Sequence, residues 1–258
     1  MKKYGVCGIL CLCLVAAVVI AGCVGTPPAE NKTLIVGIGE NFPPYGYPEE
    51  NGTYTGFDVE SMRWIADRNG LDVSFKPLPW QDIVKNVADG TVDIVYCGLT
   101  ITPERAEIVD FSNSYMTVNT AIAVRPDSSF TEKDVLSGNV SIATQSGGTS
   151  HLWIEKNLNE TGILAAGNLR PQPTIEDAFS MLAAGTCDAV IYDDITVNAY
   201  VAKGVAKKIG TIETNEQYGV AVRKGDTATM QLINNGIVDL KASPAWQELL
   251  GKYAITLS

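Results

Sequence analysis

Histidine and cysteine are scarce in this sequence. Its 258 residues contain one histidine, His151, and six cysteines, three of which lie within the first 13 residues. In the body of the chain, Cys97 and Cys187 show no metal-ligand spacing. This scarcity excludes the usual histidine and cysteine metal sites and gives no basis for a disulfide framework. We expect no metal, no cofactor and two free thiols, Cys97 near the functional site and Cys187 in the core of a strand.

Basic residues are also scarce. Lys and Arg together number 19 against 29 Asp and Glu, a formal net charge of −10 at pH 7. Binding of nucleic acid requires a basic face that neutralises phosphates, so nucleic acid is excluded as a partner. The composition is otherwise ordinary for a globular protein, and the length suits one large or two small domains.

Long apolar runs are missing except for residues 6–20, which follow Lys2 and Lys3. This run is too short for a transmembrane helix and, with its basic start, is typical of a signal peptide. It leads into Ile20-Ala21-Gly22-Cys23, which resembles a lipobox. The resemblance implies cleavage before Cys23 and a lipid on this cysteine. A plain signal peptide with an incidental cysteine is the alternative.

The start of the chain therefore divides into a predicted signal peptide, residues 1–22, and a tether, residues 23–32, with Pro, Gly and Thr and little apolar content. We expect the remainder to be soluble and extracytoplasmic. Its lipid would anchor it to the membrane on the periplasmic or cell-surface side.

From residue 33 onwards, apolar segments typical of strands alternate with amphipathic segments typical of helices. Strands are predicted at residues 34–38, 73–75, 94–97, 120–124, 140–144, 189–192 and 219–222. Helices are predicted at residues 56–70, 81–88, 151–158, 175–184, 196–203, 230–241 and 245–253, with a further start at Thr102. This alternation predicts an α/β fold with largely parallel sheets.

The most informative stretch is residues 93–115, DIVYCGLTITPERAEIVDFSNSY. A predicted buried strand gives way to a loop and then to Thr102-Pro103, a typical N-cap and first helical position. Arg105 follows in the first turn, where a cation costs roughly 0.3–1 kcal/mol against the helix dipole. One interpretation is an anion site in which Arg105 and the hydroxyls of Thr100 and Thr102 face one carboxylate. The alternative is an ordinary surface arginine.

One sequence pattern occurs twice. Residues 90–95, GTVDIV, match residues 185–190, GTCDAV, and counting on from each glycine aligns Gly98 with Asp193. Each copy ends a helix at glycine and begins a buried strand. We therefore expect two lobes that face each other, with a ligand at the carboxyl ends of strands. A recurrent helix–strand turn without a shared site is the alternative.

Together these motifs resemble the family-3 extracellular solute-binding proteins, the amino-acid receptors of ABC importers, such as the glutamine- and histidine-binding proteins. The motifs that carry the resemblance are GLTITPERAEIVDFSNSY, FPPY, GFDVE, the Pro79-Trp80 helix start, QSGGTS, GTCDAVIYDD and QYGVAVRKGD. The resemblance implies a two-lobed, type II periplasmic-binding-protein-like fold with a ligand cleft between lobes joined by two hinge strands. The expected ranges are lobe 1 at residues 33–117 and 216–258, lobe 2 at 118–215, and hinges near 116–119 and 214–217.

The same resemblance implies ligand-binding residues and no catalytic ones. Arg105 corresponds to the arginine that grips an α-carboxylate through a bidentate pair, beside Thr100 and the Gly98 backbone. Asp193 corresponds to the acid that receives the α-ammonium. These assignments agree with the chemistry of a zwitterion, which needs a fixed cation, a fixed anion and donors that leave no buried charge unpaired.

Five further positions complete the implied site. Gly147, Gly148 and Thr149 correspond to a lobe-2 turn that donates to the same carboxylate at a helix start. Phe42 and Trp80 correspond to aromatics that enclose the ligand side chain, although core packing is the commoner role of an aromatic.

Three positions depart from the family pattern. Gly39 stands where members that bind polar or basic side chains often have Asp, with Glu40 one place on. Cys97 stands where several members have Ser or Ala, and Gly148 where many have Thr. These departures leave the identity of the amino acid open.

The sequence thus predicts a monomeric binding protein that captures a free L-amino acid by lobe closure and delivers it to an ABC permease and ATPase. Two alternatives share the fold. One is an enzyme similar to cyclohexadienyl dehydratases, which needs a general acid in the cleft; retention of Asp193 and the lack of a His–carboxylate or metal constellation argue against it. The other is a ligand sensor without transport, usually joined to a transmembrane helix and a signalling domain.

Overall fold

The computed structural model describes Met1 and residues 33–257. Beyond Met1, the predicted signal peptide, the tether and the lipid-bearing Cys23 lie outside the described residues. Contacts separate the chain into residues 1–31 and 32–258, and all the described helices and strands belong to the second unit. None of the described helices is long and apolar enough to cross a bilayer.

The described strands and helices alternate along the chain. The strands are β1 (Leu34–Gly39), β2 (Tyr47–Pro48), β3 (Tyr54–Thr55), β4 (Val73–Leu78), β5 (Ile94–Val95), β6 (Asp110–Phe111), β7 (Met116–Val124), β8 (Ile142–Gln145), β9 (Leu169–Gln172), β10 (Ala189–Asp193), β11 (Lys207–Tyr218) and β12 (Ala221–Val222). The helices are α1 (Phe57–Asn69), α2 (Ile83–Ala88), α3 (Pro103–Ala106), α4 (Glu132–Leu136), α5 (Thr149–Ile154), α6 (Ile175–Ala183), α7 (Asp194–Ala202), α8 (Thr227–Ala242) and α9 (Pro244–Lys252). Every strand and helix predicted from the sequence has a counterpart in this set.

Two sheets form the centres of two lobes. The first has the order β4-β1-β5-β12-β6, with β4 and β5 parallel to β1 and with β12 antiparallel to β5 and β6. The second has the order β11-β7-β10-β8-β9, with β8 parallel to β10 and β9 and with β7 antiparallel to β10 and β11. The α/β class is confirmed, but the prediction of largely parallel sheets is wrong because both sheets are mixed.

The antiparallel strands arise where the chain passes between the sheets. β7 follows β6 of the first sheet, and β11 leads directly to β12 of the first sheet, in each case without an intervening helix. A parallel connection would need a crossover of a dozen or more residues. β7 and β11 pair antiparallel from Lys207↔Val124 to Tyr218↔Met116, so the chain crosses between the sheets along one two-stranded ribbon. The expected hinge segments lie on this ribbon.

The sequence pattern missed most of β11. Its sequence, KKIGTIETNEQY, has no continuous apolar run, and of its residues only Tyr218 is fully buried. It is an edge strand of the second sheet and has a neighbouring strand, β7, on one side only. Fewer of its side chains are therefore buried, and it needs few apolar residues. A strand whose stability comes from pairing with β7 gives little hydrophobic signal.

The repeated pattern has the same structure in both lobes. Gly90 and Gly185 have φ of 82° and 70°, a region that favours glycine. Three residues later, the Asp93 carboxylate accepts the N–H of Ile35 at 2.8 Å, and the Asp188 carboxylate accepts the N–H of Ser141 at 2.8 Å. Each aspartate thus ties its strand to the start of the neighbouring parallel strand, which directs β5 and β10 towards the same cleft.

Both cysteines are free thiols, as predicted, but the predicted position of Cys187 within a strand is wrong. Cys97 and Cys187 are free and buried. Burial raises the pKa of both thiols, that of Cys187 to about 11. Both therefore stay protonated at neutral pH, a form that is a poor nucleophile. Cys187 lies two residues before β10 rather than within a strand.

Candidate ligand-binding cleft

The loops that follow several strands converge between the two sheets. This is the edge of an α/β sheet at which ligands commonly bind. The converging segments are residues 40–46 after β1, 96–102 after β5, 146–148 after β8, and the end of β10 at Asp193.

The lobes contact each other directly at this cleft. The rings of Phe42 and Tyr192 meet edge to face with centroids 5.9 Å apart. The Asn41 side-chain amide donates to the Glu176 carboxylate on α6. Since Phe42 and Asn41 belong to the loop after β1, and their partners belong to the second lobe, the structure is closed across the cleft.

Arg105 lies at the first-lobe side of the cleft. The Thr102 hydroxyl accepts the Arg105 N–H at 3.2 Å, which confirms the predicted N-cap, although α3 is a single turn. The Arg105 Nη1 donates to the Thr100 carbonyl at 2.8 Å, and its Cζ lies 5.6 Å from the centroid of the Trp80 ring. The side chain therefore folds back over the loop, unlike the surface arginine of the alternative interpretation.

The Arg105 guanidinium keeps donors for an anion. Burial lowers its pKa, but an arginine remains charged at physiological pH. Within residues 33–257 no carboxylate lies within 4 Å of it. With one N–H on the Thr100 carbonyl, the rest of its five-donor fork can reach a carboxylate from the cleft.

The two predicted aromatics lie together beside this arginine. Phe42 is 3% exposed, and its ring centroid lies 5.0 Å from that of Tyr45 and 5.9 Å from that of Trp80. Trp80 is only partly buried and lies between Phe42 and Arg105. Phe42 therefore packs at the boundary of the lobes, whereas Trp80 presents part of its ring to solvent.

The loop of Gly98 is fixed from below by a buried carboxylate. The Gly98 N–H donates to Asp58 at 2.6 Å and to the Tyr115 hydroxyl at 3.1 Å, and that hydroxyl donates to the same Asp58 oxygen at 2.8 Å. Gly98 has φ +60°, and a Cβ there would lie 3.1 Å from the rings of Phe42 and Tyr45. Glycine therefore satisfies both the backbone conformation and the close approach.

Asp58 itself is fully buried. Burial raises its pKa to about 8, although the hydrogen bonds from Tyr115 and Gly98 oppose the rise. This buried side chain holds the loop that carries Thr100 through its hydrogen bond from the Gly98 N–H.

The turn between β8 and α5 uses its glycine amides internally. The Gly147 N–H donates to His151 Nδ1 at 3.2 Å, and the Gly148 N–H donates to the Gln145 carbonyl at 3.3 Å. α5 begins at Thr149 and has six residues before the chain passes into a π-helical turn at Glu155–Asn159. The Thr149 hydroxyl, at the start of α5, donates to a partner on another element.

That hydroxyl meets a carboxylate of the chain itself. Thr149 Oγ1 donates to Glu216 Oε2 at 2.7 Å, and Thr100 Oγ1 donates to the same oxygen at 2.9 Å. Glu216 lies on β11, in the ribbon between the lobes. One carboxylate oxygen therefore joins a hydroxyl from the first lobe to a hydroxyl from the second.

Asp193 is the acidic group of the second lobe. It is 5% exposed, accepts the Tyr218 phenol proton, and accepts the Ser150 hydroxyl at 3.5 Å. Burial and the nearby charge of Glu216 raise its pKa to about 7, while Tyr218 and Arg105 oppose the rise. A cation placed beside Asp193 would offset the free energy that burial of its charge requires.

Sequence reasoning missed Asp58, Ser150, Glu216 and Tyr218. The first two and the last lie inside motifs that carry the family resemblance, GFDVE, QSGGTS and QYGVAVRKGD. These motifs could have drawn attention to the three residues. The contacts that the residues make could not be predicted from the sequence. Glu216 stands in a polar stretch and has there the pattern of a solvated surface charge.

The part of the cleft beside Phe42 and Trp80 has little free space in this closed arrangement. Its cavity of about 20 Å³ is lined by residues that include Phe42, Trp80 and Gln145, which is room for roughly one water molecule. A larger groove of about 460 Å³ lies between α1 and α9, but it is lined by surface charges such as the Lys252–Glu60 pair at 2.7 Å. Arg105 and Asp193 both lie at the cleft, so an amino acid that bound between them would need the lobes to separate.

Comparisons with known proteins agree with this architecture. The sequence profile of the bacterial extracellular solute-binding proteins, family 3, matches residues 34–256. The probable histidine-binding protein of Neisseria gonorrhoeae is 27% identical over 268 residues, covering 98% of this chain and 96% of that protein. A solved ancestral arginine-binding protein bound to glutamine is 32% identical with a TM-score of 0.77, covering 87% of this chain and 98% of that one.

A further solved structure is that of the ancestral amino acid-binding protein AncCDT-1, described as a precursor of cyclohexadienyl dehydratase. It is 32% identical with a TM-score of 0.78, covering 86% of this chain and 95% of that one. These structural neighbours have the type II periplasmic-binding-protein fold, which confirms the predicted architecture. Because the family profile spans almost the whole described chain, the protein belongs to the bacterial extracellular solute-binding proteins of family 3.

Proposed function

We propose that this protein captures a free L-amino acid between its lobes and delivers it to the permease of an ABC importer. The observation that carries the proposal is the presence of opposite charges at one cleft, the partly buried Arg105 from the first lobe and the buried Asp193 from the second. A zwitterion offers each of them its counter-ion. Relatives named for binding histidine and arginine support the class of ligand.

The α-carboxylate would bind at the first-lobe side of the cleft. Arg105 provides the fork for a bidentate pair, and the Thr100 hydroxyl and Gly98 backbone lie in the loop beside it. On closure, the turn of Gly147, Gly148 and Thr149 would complete this end from the second lobe, with the Thr149 hydroxyl as its principal donor.

The α-ammonium would bind at Asp193, whose carboxylate is already held by the Tyr218 and Ser150 hydroxyls. An ammonium there converts a costly buried charge into a paired one. The ligand side chain would then lie against Phe42 and Trp80, which flank the Arg105 end of the cleft.

Binding would require the lobes to open and close. We assign residues 33–117 and 216–258 to lobe 1 and residues 118–215 to lobe 2, with hinges at 116–119 and 214–217. In the ribbon, pairing of β7 with β11 shifts register between Ile212 and Glu216, and Asn215 has φ 50°. An irregular pair of short crossing segments is where a hinge can absorb backbone rotation.

The proposal extends to location and partners. The lipobox-like Cys23 would carry a lipid that anchors a monomeric receptor to the outer face of the membrane, next to the permease and its ATPase. Lipid on Cys23 is testable by mass spectrometry. Stimulation of permease-coupled ATP hydrolysis by the liganded protein would distinguish a transport receptor from a sensor that does not transport.

A dehydratase is the second candidate. The raised pKa of Asp193, about 7, would let this group act as a general acid, and AncCDT-1 is a relevant neighbour. We favour binding because the cleft carries an acid from one lobe, Asp193, and a cation from the other, Arg105, an arrangement that suits a zwitterion. Turnover of prephenate or arogenate by the purified protein would reverse this choice.

Thermal unfolding with a panel of L-amino acids and aromatic acids tests the proposal. A ligand of micromolar Kd at millimolar concentration stabilises the folded state by about 4 kcal/mol. We expect a clear rise in Tm with one or a few amino acids, and no rise with the same ligands in an Arg105→Ala variant. If no amino acid raises the Tm of the wild-type protein, the proposed function is wrong.

A further inference from the structure

The carboxylate of Glu216 occupies a position between donors of both lobes. Its Oε2 accepts the Thr100 hydroxyl at 2.9 Å and the Thr149 hydroxyl at 2.7 Å. These are the two hydroxyls that the proposed function assigns to the α-carboxylate of the ligand. Glu216 reaches both because it lies on the ribbon strand β11, in the proposed hinge segment between the two lobes.

We infer that Glu216 is an internal competitor of the ligand carboxylate, which holds the two threonine hydroxyls when the lobes close and must give them up when an amino acid binds. The inference rests on the proposed function, since it concerns the same carboxylate position. It assigns Glu216 a role in setting affinity without contact to the side chain of the ligand.

Glu216 and the ligand carboxylate compete because the two threonine hydroxyls have few protons to donate. Each threonine hydroxyl has one proton to donate, so neither can serve Glu216 and a ligand carboxylate at full strength together. Hydrogen bonds to a charged acceptor are the stronger ones. A ligand carboxylate close to Glu216 would also meet a like charge, which is unfavourable where water is excluded.

The competition leaves the first capture of the ligand unaffected. Arg105 makes no carboxylate contact within 4 Å among the described residues, so Glu216 takes the hydroxyls and leaves the guanidinium fork. An amino acid can therefore dock on Arg105 in the open protein. Transfer of the Thr149 hydroxyl from Glu216 to the ligand would then accompany closure.

Calorimetric titration of the full-length protein tests this inference. The probes are the twenty L-amino acids and the α-amides of those that bind, and the variant is Glu216→Gln. We expect the variant to bind the amino acid about fivefold more tightly than the wild-type protein does. Its increase in affinity for the α-amide, which has no negatively charged carboxylate, should be less than half as large. Glu213→Gln is the matched control, because it removes the same charge from an exposed position of the same strand and should change neither affinity by more than about twofold.

The outcomes separate this inference from the proposed function. Wild-type protein that binds no amino acid overturns both. Wild-type binding together with equal or weaker binding by Glu216→Gln overturns the inference alone, because Glu216 would then orient the hydroxyls for the ligand. An equal gain for acid and amide overturns it as well. If Glu216→Gln does not fold, Glu216→Asp replaces it, since the shorter carboxylate cannot keep both hydroxyls and the same gain is expected.

Discussion

Tyr218, the last residue of β11, donates its phenol proton to Asp193, the last residue of β10. The Tyr218 ring also packs against the first lobe, with centroids 5.4 Å from Tyr45 and 6.2 Å from Tyr115. The acidic group of the second lobe is thus connected through one phenol to the aromatic cluster beneath the Gly98 loop. Tyr218 therefore contacts both Asp193, at the ammonium end of the proposed site, and the aromatic residues beneath the Gly98 loop, at the carboxylate end.

Asp193→Asn tests the ammonium assignment. The asparagine oxygen can still accept from Tyr218, but it has no charge for an ammonium, so amino-acid affinity should fall at least about thirtyfold. The analogue without its α-amine should lose less than about threefold. Calorimetry with both compounds measures the difference, and equal losses would show that Asp193 does not hold the ammonium.

Tyr218→Phe should weaken binding in a pH-dependent way. The phenol hydrogen bond lowers the pKa of Asp193, so its loss raises that pKa above about 7 and leaves more of the carboxyl protonated at neutral pH. We expect affinity about tenfold below wild type near pH 7 and closer to wild type near pH 8.5, where the carboxyl ionises. Tyr253→Phe is the control, since that phenol bonds to Thr55 in the first lobe outside the cleft. A deficit that does not depend on pH would contradict the stated cause.

Arg105→Ala should abolish amino-acid binding, by more than about a hundredfold, and leave the fold intact. The Arg105 side chain contacts a carbonyl and the face of Trp80, so its removal breaks no hydrogen bond to a buried carboxylate. Asp193 keeps its hydrogen bonds from Tyr218 and Ser150. Arg105→Lys should recover little, because a lysine cannot form the bidentate pair. Arg63→Ala, which removes an exposed arginine over Phe75, should bind as wild type does. Affinity within a fewfold of wild type in Arg105→Ala would overturn the carboxylate assignment.

Local sequence carried the prediction of Arg105. The N-cap Thr102, Pro103 at the first helical position and a cation against the helix dipole are all within four residues of one another, and the structure confirms the N-cap. The duplicated GTxD pattern was equally local, and the hydrogen bonds of Asp93 and Asp188 show its physical basis. Features encoded by a few neighbouring residues could thus be found without the fold.

The partners across the lobes could not be found in this way. Glu216 and Thr100 are 116 residues apart, and Glu216 and Thr149 are 67 apart, so no spacing rule connects them. The strand that brings Glu216 to both hydroxyls, β11, lacked an apolar signal because it lies at a sheet edge. The antiparallel strands of the two sheets could not be predicted for the same reason. Their direction depends on where the chain crosses between the lobes, which local sequence does not show.

Asp58 should make stability depend on pH. Burial raises its pKa to about 8 in the folded protein, whereas an aspartate in the unfolded chain titrates near pH 4, at about 3.9. Between about pH 4 and pH 8 the folded state therefore binds this proton more tightly than the unfolded state. The contribution of Asp58 to stability is fully present below about pH 4 and is lost as the pH rises through about 8.

Asp58→Asn removes this dependence while keeping an oxygen that can accept from Gly98 and Tyr115. In urea unfolding between about pH 5 and pH 8, the wild-type protein should lose on the order of 3 to 4 kcal/mol more stability than the variant. Asp193 titrates in the same direction in both proteins, so its effect cancels from the difference. Asp67→Asn, at an exposed position of the same helix, should follow the wild type. Parallel pH profiles for wild type and Asp58→Asn would mean that Asp58 does not hold its proton in the folded protein.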